Sequence, residues 1–65
     1  MKMFDVVASL QDFPQQHVVK GQVGTVVEEL DNGHVLVEFA DVNGVAYAIA
    51  TIPMDQLMKL KHAPA

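Results

Sequence analysis

Apolar and polar residues alternate along most of this chain in short runs separated by residues that favour turns. A period of two places successive side chains on opposite faces of a strand. The first run is Met3 to Ala8, with Phe4, Val6 and Ala8 on one face and Met3, Asp5 and Val7 on the other. Ser9 to Lys20 is polar, rich in glutamine and interrupted by Pro14. Proline cannot donate to a ladder, so this segment reads as a long loop. Gly21 to Leu30 is the second run, built around the β-branched block Thr25-Val26-Val27. Val26 and Val27 break strict alternation, which predicts a bulge or a strand covered on both faces.

Asp31-Asn32-Gly33 then predicts a tight hairpin, because Asn-Gly accepts the positive φ such turns need. The third run, His34 to Ala40, alternates cleanly, setting Val35, Val37 and Phe39 against His34, Leu36, Glu38 and Ala40. A second Asn-Gly turn, Asp41 to Gly44, leads into Val45 to Ile52. Here Val45, Tyr47, Ile49 and Thr51 share one side, and Ala46, Ala48, Ala50 and Ile52 the other. A face of alanines implies close approach, by the interior or by a neighbouring chain. Pro53 to Leu57 predicts a single 3₁₀ turn, Leu57 to Lys61 a short lysine-tipped edge strand, and His62 to Ala65 a frayed end. Three strands in a meander, an opening strand with a long first loop, and a 3₁₀ turn before the last strand predict an all-β fold. The expected architecture is a five-stranded SH3-like small barrel forming one domain over residues 1–65.

Val19 to Glu28 resembles the opening hairpin of KOW and SH3-like small barrels, where a G-x-x-G-x-V segment, here Gly21 to Val26, starts the second strand. The whole chain resembles a family of short bacterial proteins catalogued as a domain of unknown function. The matching segments are Asp5-Val6-Val7, Pro14, Gly21 to Glu28, Val35 to Phe39, Gly44 to Thr51 and Pro53 to Leu57. The resemblance implies a small barrel with no settled activity, of a kind sometimes found as a companion of larger proteins, including toxin-like ones. KOW modules that touch RNA carry basic residues around this hairpin, whereas this chain has Glu28, Glu29 and Asp31 there.

Composition narrows the functional classes. Half of the 65 residues are apolar (51 %) and 18 % are charged, a folding composition rather than a disordered one. A chain this short buries only about 60 % of its unfolded surface, and a core of that size seldom supplies more than about 3–5 kcal/mol of net stability, so partner binding or self-association could matter to its persistence. Without cysteine it has no disulfide, thiolate nucleophile or cysteine metal site. Eight acids against four lysines, with no arginine, give a net charge of −4. Affinity for nucleic acid comes largely from neutralising phosphates, and bases are read mainly by arginine. A KOW-like nucleic-acid accessory domain is therefore the alternative reading only, and it rests on Lys20, Lys59 and Lys61. Asp5 stands where the apolar stretch of an export signal belongs, and no window approaches 18 apolar residues, so a cytoplasmic chain with no membrane span is expected.

Candidate chemistry is sparse. His17, His34 and His62 lack metal-ligand spacing, and Glu28, Glu29 and Asp31 fall at a strand end and a turn, where carboxylates are solvated. Ser9, Thr25, Thr51 and Tyr47 sit in no nucleophile motif, and Gly21 and Gly24 precede a strand rather than a phosphate-binding helix. No catalytic, cofactor or metal site is expected. What stands out is apolar residues on both faces of several runs. Leu36, Tyr47, Ile49, Met54, Met58 and Phe13 are the interface candidates, rimmed by the acids Glu28, Glu29, Asp31 and Asp41. The competing arrangement lays the Ser9–Lys20 loop over Leu36 and one face of the fourth run, with Phe13 as its plug. The expected function is a non-enzymatic protein-interaction module, self-associating or docking a larger protein, with the acidic rim favouring a basic partner.

Overall fold

The alternating runs become five strands in the computed structural model of the chain, which describes residues 1–40 and 46–60. They are β1 (Val6–Ser9), β2 (Val23–Glu29), β3 (His34–Ala40), β4 (Ala46–Pro53) and β5 (Leu57–Lys59), with 3₁₀ turns at Pro14–Gln16 and Met54–Gln56. All neighbouring strands are antiparallel, in the order β4-β3-β2-β1-β5. The first and last strands pair, and the lysine-tipped final strand lies at an edge of the sheet, as its lysine suggested.

β4 and β5 are the two edges of the sheet and do not pair with each other, so the sheet is not closed into a barrel. β5 is three residues long and one side of it is taken by β1, which leaves little ladder for a further partner. The sheet is nevertheless rolled. Flat strands would put β4 and β5 about 19 Å apart, at about 4.8 Å per step. The four peptide units from Pro53 to Leu57 reach about 14 Å when extended, and less when wound as 3₁₀. Only a curled sheet lets so short a connection join its opposite edges.

The roll encloses one face. Across it run the register rows Val7–Gly24–Phe39–Ala48 and Val26–Val37–Ala50. Val7, Val26, Val35, Val37, Phe39, Ala50, Ile52 and Leu57 form the core with Val18 from the first loop. Ala48 and Ala50 of β4 therefore meet the interior, because Phe39 fills the space a larger β4 residue would take. Gly24 is the tightest point of this packing. A Cβ there would lie 2.7 Å from Val37 Cγ1, 2.8 Å from Phe39 Cδ1 and 2.9 Å from the Glu38 carbonyl oxygen.

Local signals held where the chemistry is local. Asn32 (φ 64°) and Gly33 (φ 75°) supply the paired positive φ of the β2–β3 turn. The β2–β3 register shifts between Val26 and Glu28, which makes Val27 the bulged residue. The first strand is shorter than its alternation suggests. Lys2 donates its N–H to Asp5 Oδ2 (2.8 Å), Asp5 donates to the Lys2 carbonyl (3.1 Å), and the turn they close holds Phe4 at φ 70°. Asp41 and the second Asn-Gly turn, Asn43-Gly44, lie outside the described residues, as do Lys61 and His62.

Candidate functional site

Of the sequence-derived candidates, some face solvent and some do not. Phe13 and Met54 pack against the core, and the Met1 ammonium approaches Met54 Sδ at 3.8 Å. Leu36 is half-buried on the outer face of the sheet, opposite Glu28 on one side and Thr51 on the other. Ile49 is 61 % exposed and Met58 48 % exposed. Tyr47 belongs to β4, but its side chain is outside the described part.

The register joins these residues to others that sequence reading missed. Met58, Ala8 and Val23 form one row across β5, β1 and β2, and Val23 is 47 % exposed. Val6, Thr25, Glu38 and Ile49 form the next row. Both rows lie on the outer face, opposite the core rows. Leu10, Val19, Met3 and Phe4 add exposed apolar side chains outside the strands. Such rows are invisible without a register, since Val23 and Met58 are 35 positions apart in the chain.

The first loop does not cover this face. Val18 enters the core, and Phe13 pairs with Val18 across a bridge and packs beside it. Ser9, 1 % exposed, anchors the loop base: its hydroxyl donates to the Gln11 carbonyl (2.6 Å) and its own carbonyl accepts from Gly21 N–H (2.7 Å). That hydroxyl is spent on local structure. Gln16 reaches β4 instead. Its amide nitrogen donates to the Thr51 carbonyl (3.4 Å), and its amide oxygen accepts the Thr51 N–H (3.1 Å).

Glu28, Glu29 and Asp31 are exposed at one end of β2 and in the adjoining turn. Among the described residues, no group of three or more His, Cys, Asp or Glu is placed to hold a metal ion, and no helix is long and apolar enough to cross a membrane. An open depression of about 500 Å³ lies between the β2–β3 turn and the second 3₁₀ turn, with His34 and Asp55 among its lining residues.

The family described as a domain of unknown function, DUF4926, matches residues 3–59. The chain belongs to that family. No curated protein and no solved structure matches it. The DUF4926 match takes in all five strands, both rows of the outer face and the Gln16–Thr51 contact.

The titration of the Asp5 carboxyl is shifted. The Lys2 N–H donated to its carboxylate holds its pKa below the usual value; burial opposes this, while Lys59 Nζ at 3.6 Å and the N-terminal ammonium reinforce it. A lowered folded-state pKa means stability that is present above the ordinary carboxylate range and lost as pH falls through it. Urea denaturation from neutral to strongly acid pH should therefore show an acid-sensitive component that Asp5→Asn removes. Identical pH profiles for the two proteins would contradict this role.

Proposed function

We propose that this chain is a non-enzymatic protein-interaction module, SH3-like in plan and cytoplasmic in a bacterium, that docks onto itself or a larger protein through its outer face. The observation that carries this is surplus apolar surface. Eight large hydrophobic residues among those described are more than a third exposed, although a core of valines, Phe39 and Ile52 is already closed. Three of these, Val23, Ile49 and Met58, lie on the outer face, where apolar surface costs solubility unless a partner covers it. The rolled five-stranded sheet supports the small-barrel plan, and Glu28, Glu29 and Asp31 would steer a basic partner toward it.

Sedimentation across the micromolar range, paired with binding of an apolar-surface dye to the folded chain, tests this. Dye binding is expected, and replacing both Val23 and Ile49 by serine should weaken it severalfold without unfolding the protein. A folded, strictly monomeric chain that binds no dye would overturn the proposal. The nucleic-acid alternative rests in part on Lys59, whose ammonium lies 3.6 Å from the Asp5 carboxylate. Retention on a polyanion column at low salt is expected to be absent, and salt-dependent retention would revive that reading.

A further inference from the structure

β4 is an open edge of the sheet, and its guard is a side chain. In an antiparallel ladder, residues whose N–H and C=O both face the partner strand alternate with residues whose groups both face away. Thr51 turns both groups away from β3, toward the Gln16 amide. Ile49, two residues earlier and in unbroken register with Glu38, must turn its own N–H and C=O to that same side. Among the described residues β4 pairs with β3 alone, so nothing described meets those groups.

We propose that this edge pairs with β4 of a second copy of the chain, antiparallel about Ile49, and that Gln16 limits the pairing by occupying Thr51. This rests on the interaction-module reading and names its partner and its control. Three features favour a second copy. Two chains of net charge −4 repel, yet β4 (Ala46–Pro53) carries no charged residue, whereas the other edge strand carries Lys59. Antiparallel pairing about Ile49 sets Ala48 against Ala50 of the other copy, so the Ala-Ile-Ala segment matches itself. The nearest acids on the outer face, the two Glu38 residues, would stand three strand spacings apart, about 14 Å. That exceeds the screening length of about 8 Å at physiological salt.

The Gln16 amide imitates one residue of a neighbouring strand, and a second β4 must displace it to extend the ladder past Ile49. Gln16→Ala should therefore strengthen dimerisation about tenfold, the effect of freeing two hydrogen-bonding groups for a new partner. Ile49→Pro deletes the outward donor on an edge where proline is tolerated, and Ile49→Lys places a charge on that edge; both should abolish dimerisation while the fold persists. Amide hydrogen exchange at rising concentration gives the deciding signal. Expected are an Ile49 amide that becomes protected as dimer forms, and a Thr51 amide that exchanges faster in dilute Gln16→Ala than in dilute wild type. Dimerisation with Ile49 still exchanging freely would overturn the proposal, as would Ile49→Pro associating like wild type or a wild type and a Gln16→Ala that both remain monomeric. Dye binding by such a monomer would leave the broader interaction reading intact, so the two failures are distinguishable.

Discussion

Gly24→Ala is expected to remove most of the stability of this protein. The new methyl group meets Val37, Phe39 and the Glu38 carbonyl oxygen all within 3.0 Å. Side chains can swing aside, but the carbonyl belongs to β3 and is fixed by the ladder. Overpacking a core costs about 1–3 kcal/mol, and a clash with backbone belongs at the upper end. A domain of this size holds about 3–5 kcal/mol in total. With a urea slope of about 1 kcal/mol/M for so small a chain, the midpoint should fall by about 3 M. A Gly24→Ala midpoint equal to that of wild type would mean that β2 and β3 do not approach as described.

Phe39→Ala attacks the same place from the other side. Phe39 is the largest fully buried side chain among the described residues and sits opposite Gly24 on one strand and Ala48 on the next. Small residues on both flanks leave its ring to fill the space between three strands. Truncating a buried phenylalanine costs about 3–5 kcal/mol, as much as the whole domain has to lose. The variant is expected to show no cooperative thermal transition by circular dichroism, while Phe39→Leu keeps one at lower temperature. The effects of Gly24→Ala and Phe39→Leu should fall short of additivity, since the smaller side chain relieves one of the clashes. A cooperative Phe39→Ala melt close to that of wild type would contradict this account of the core.

Much of this fold was legible in the residues themselves. The clean alternation of His34 to Ala40 fixed which face of β3 is buried, Asn32-Gly33 announced its own turn, and Val26-Val27 announced the bulge. These are local effects of backbone conformation and of period. The 3₁₀ turn at Pro14–Gln16 went unread because a proline within a polar stretch says only that no central strand passes there. Val18 entered the core from a segment with no apolar period, and the Gln16–Thr51 contact spans 35 positions, so neither leaves a mark on its neighbours in sequence. Phe4 departs from the first run because Asp5 captures the Lys2 N–H, a bond that competes with the strand.

The candidate site divides in the same way. Ile49 was visible as an apolar residue opposite a face of alanines, and Met58 as apolar mass near the second 3₁₀ turn. Val23 was not, because its place beside Ala8 and Met58 depends on the pairing of three strands. Phe13 and Met54 carry the same hydrophobic signal as Ile49, yet they pack on the core, since apolarity alone does not say which side of a rolled sheet a residue meets.

β4 offers its own internal control for the central claim, that apolar surface is left outside the lone subunit and is available to a partner. Ile49 is 61 % exposed, and Ile52, three residues on, is fully buried. The decisive measurement is paramagnetic attenuation of isoleucine methyl signals by a soluble spin probe, at a dilution where the chain sediments as one subunit. The Ile49 methyls should be strongly bleached and those of Ile52 untouched, with Ile49 recovering its signal once a partner covers the outer face. Equal protection of both residues in the dilute monomer would contradict the claim.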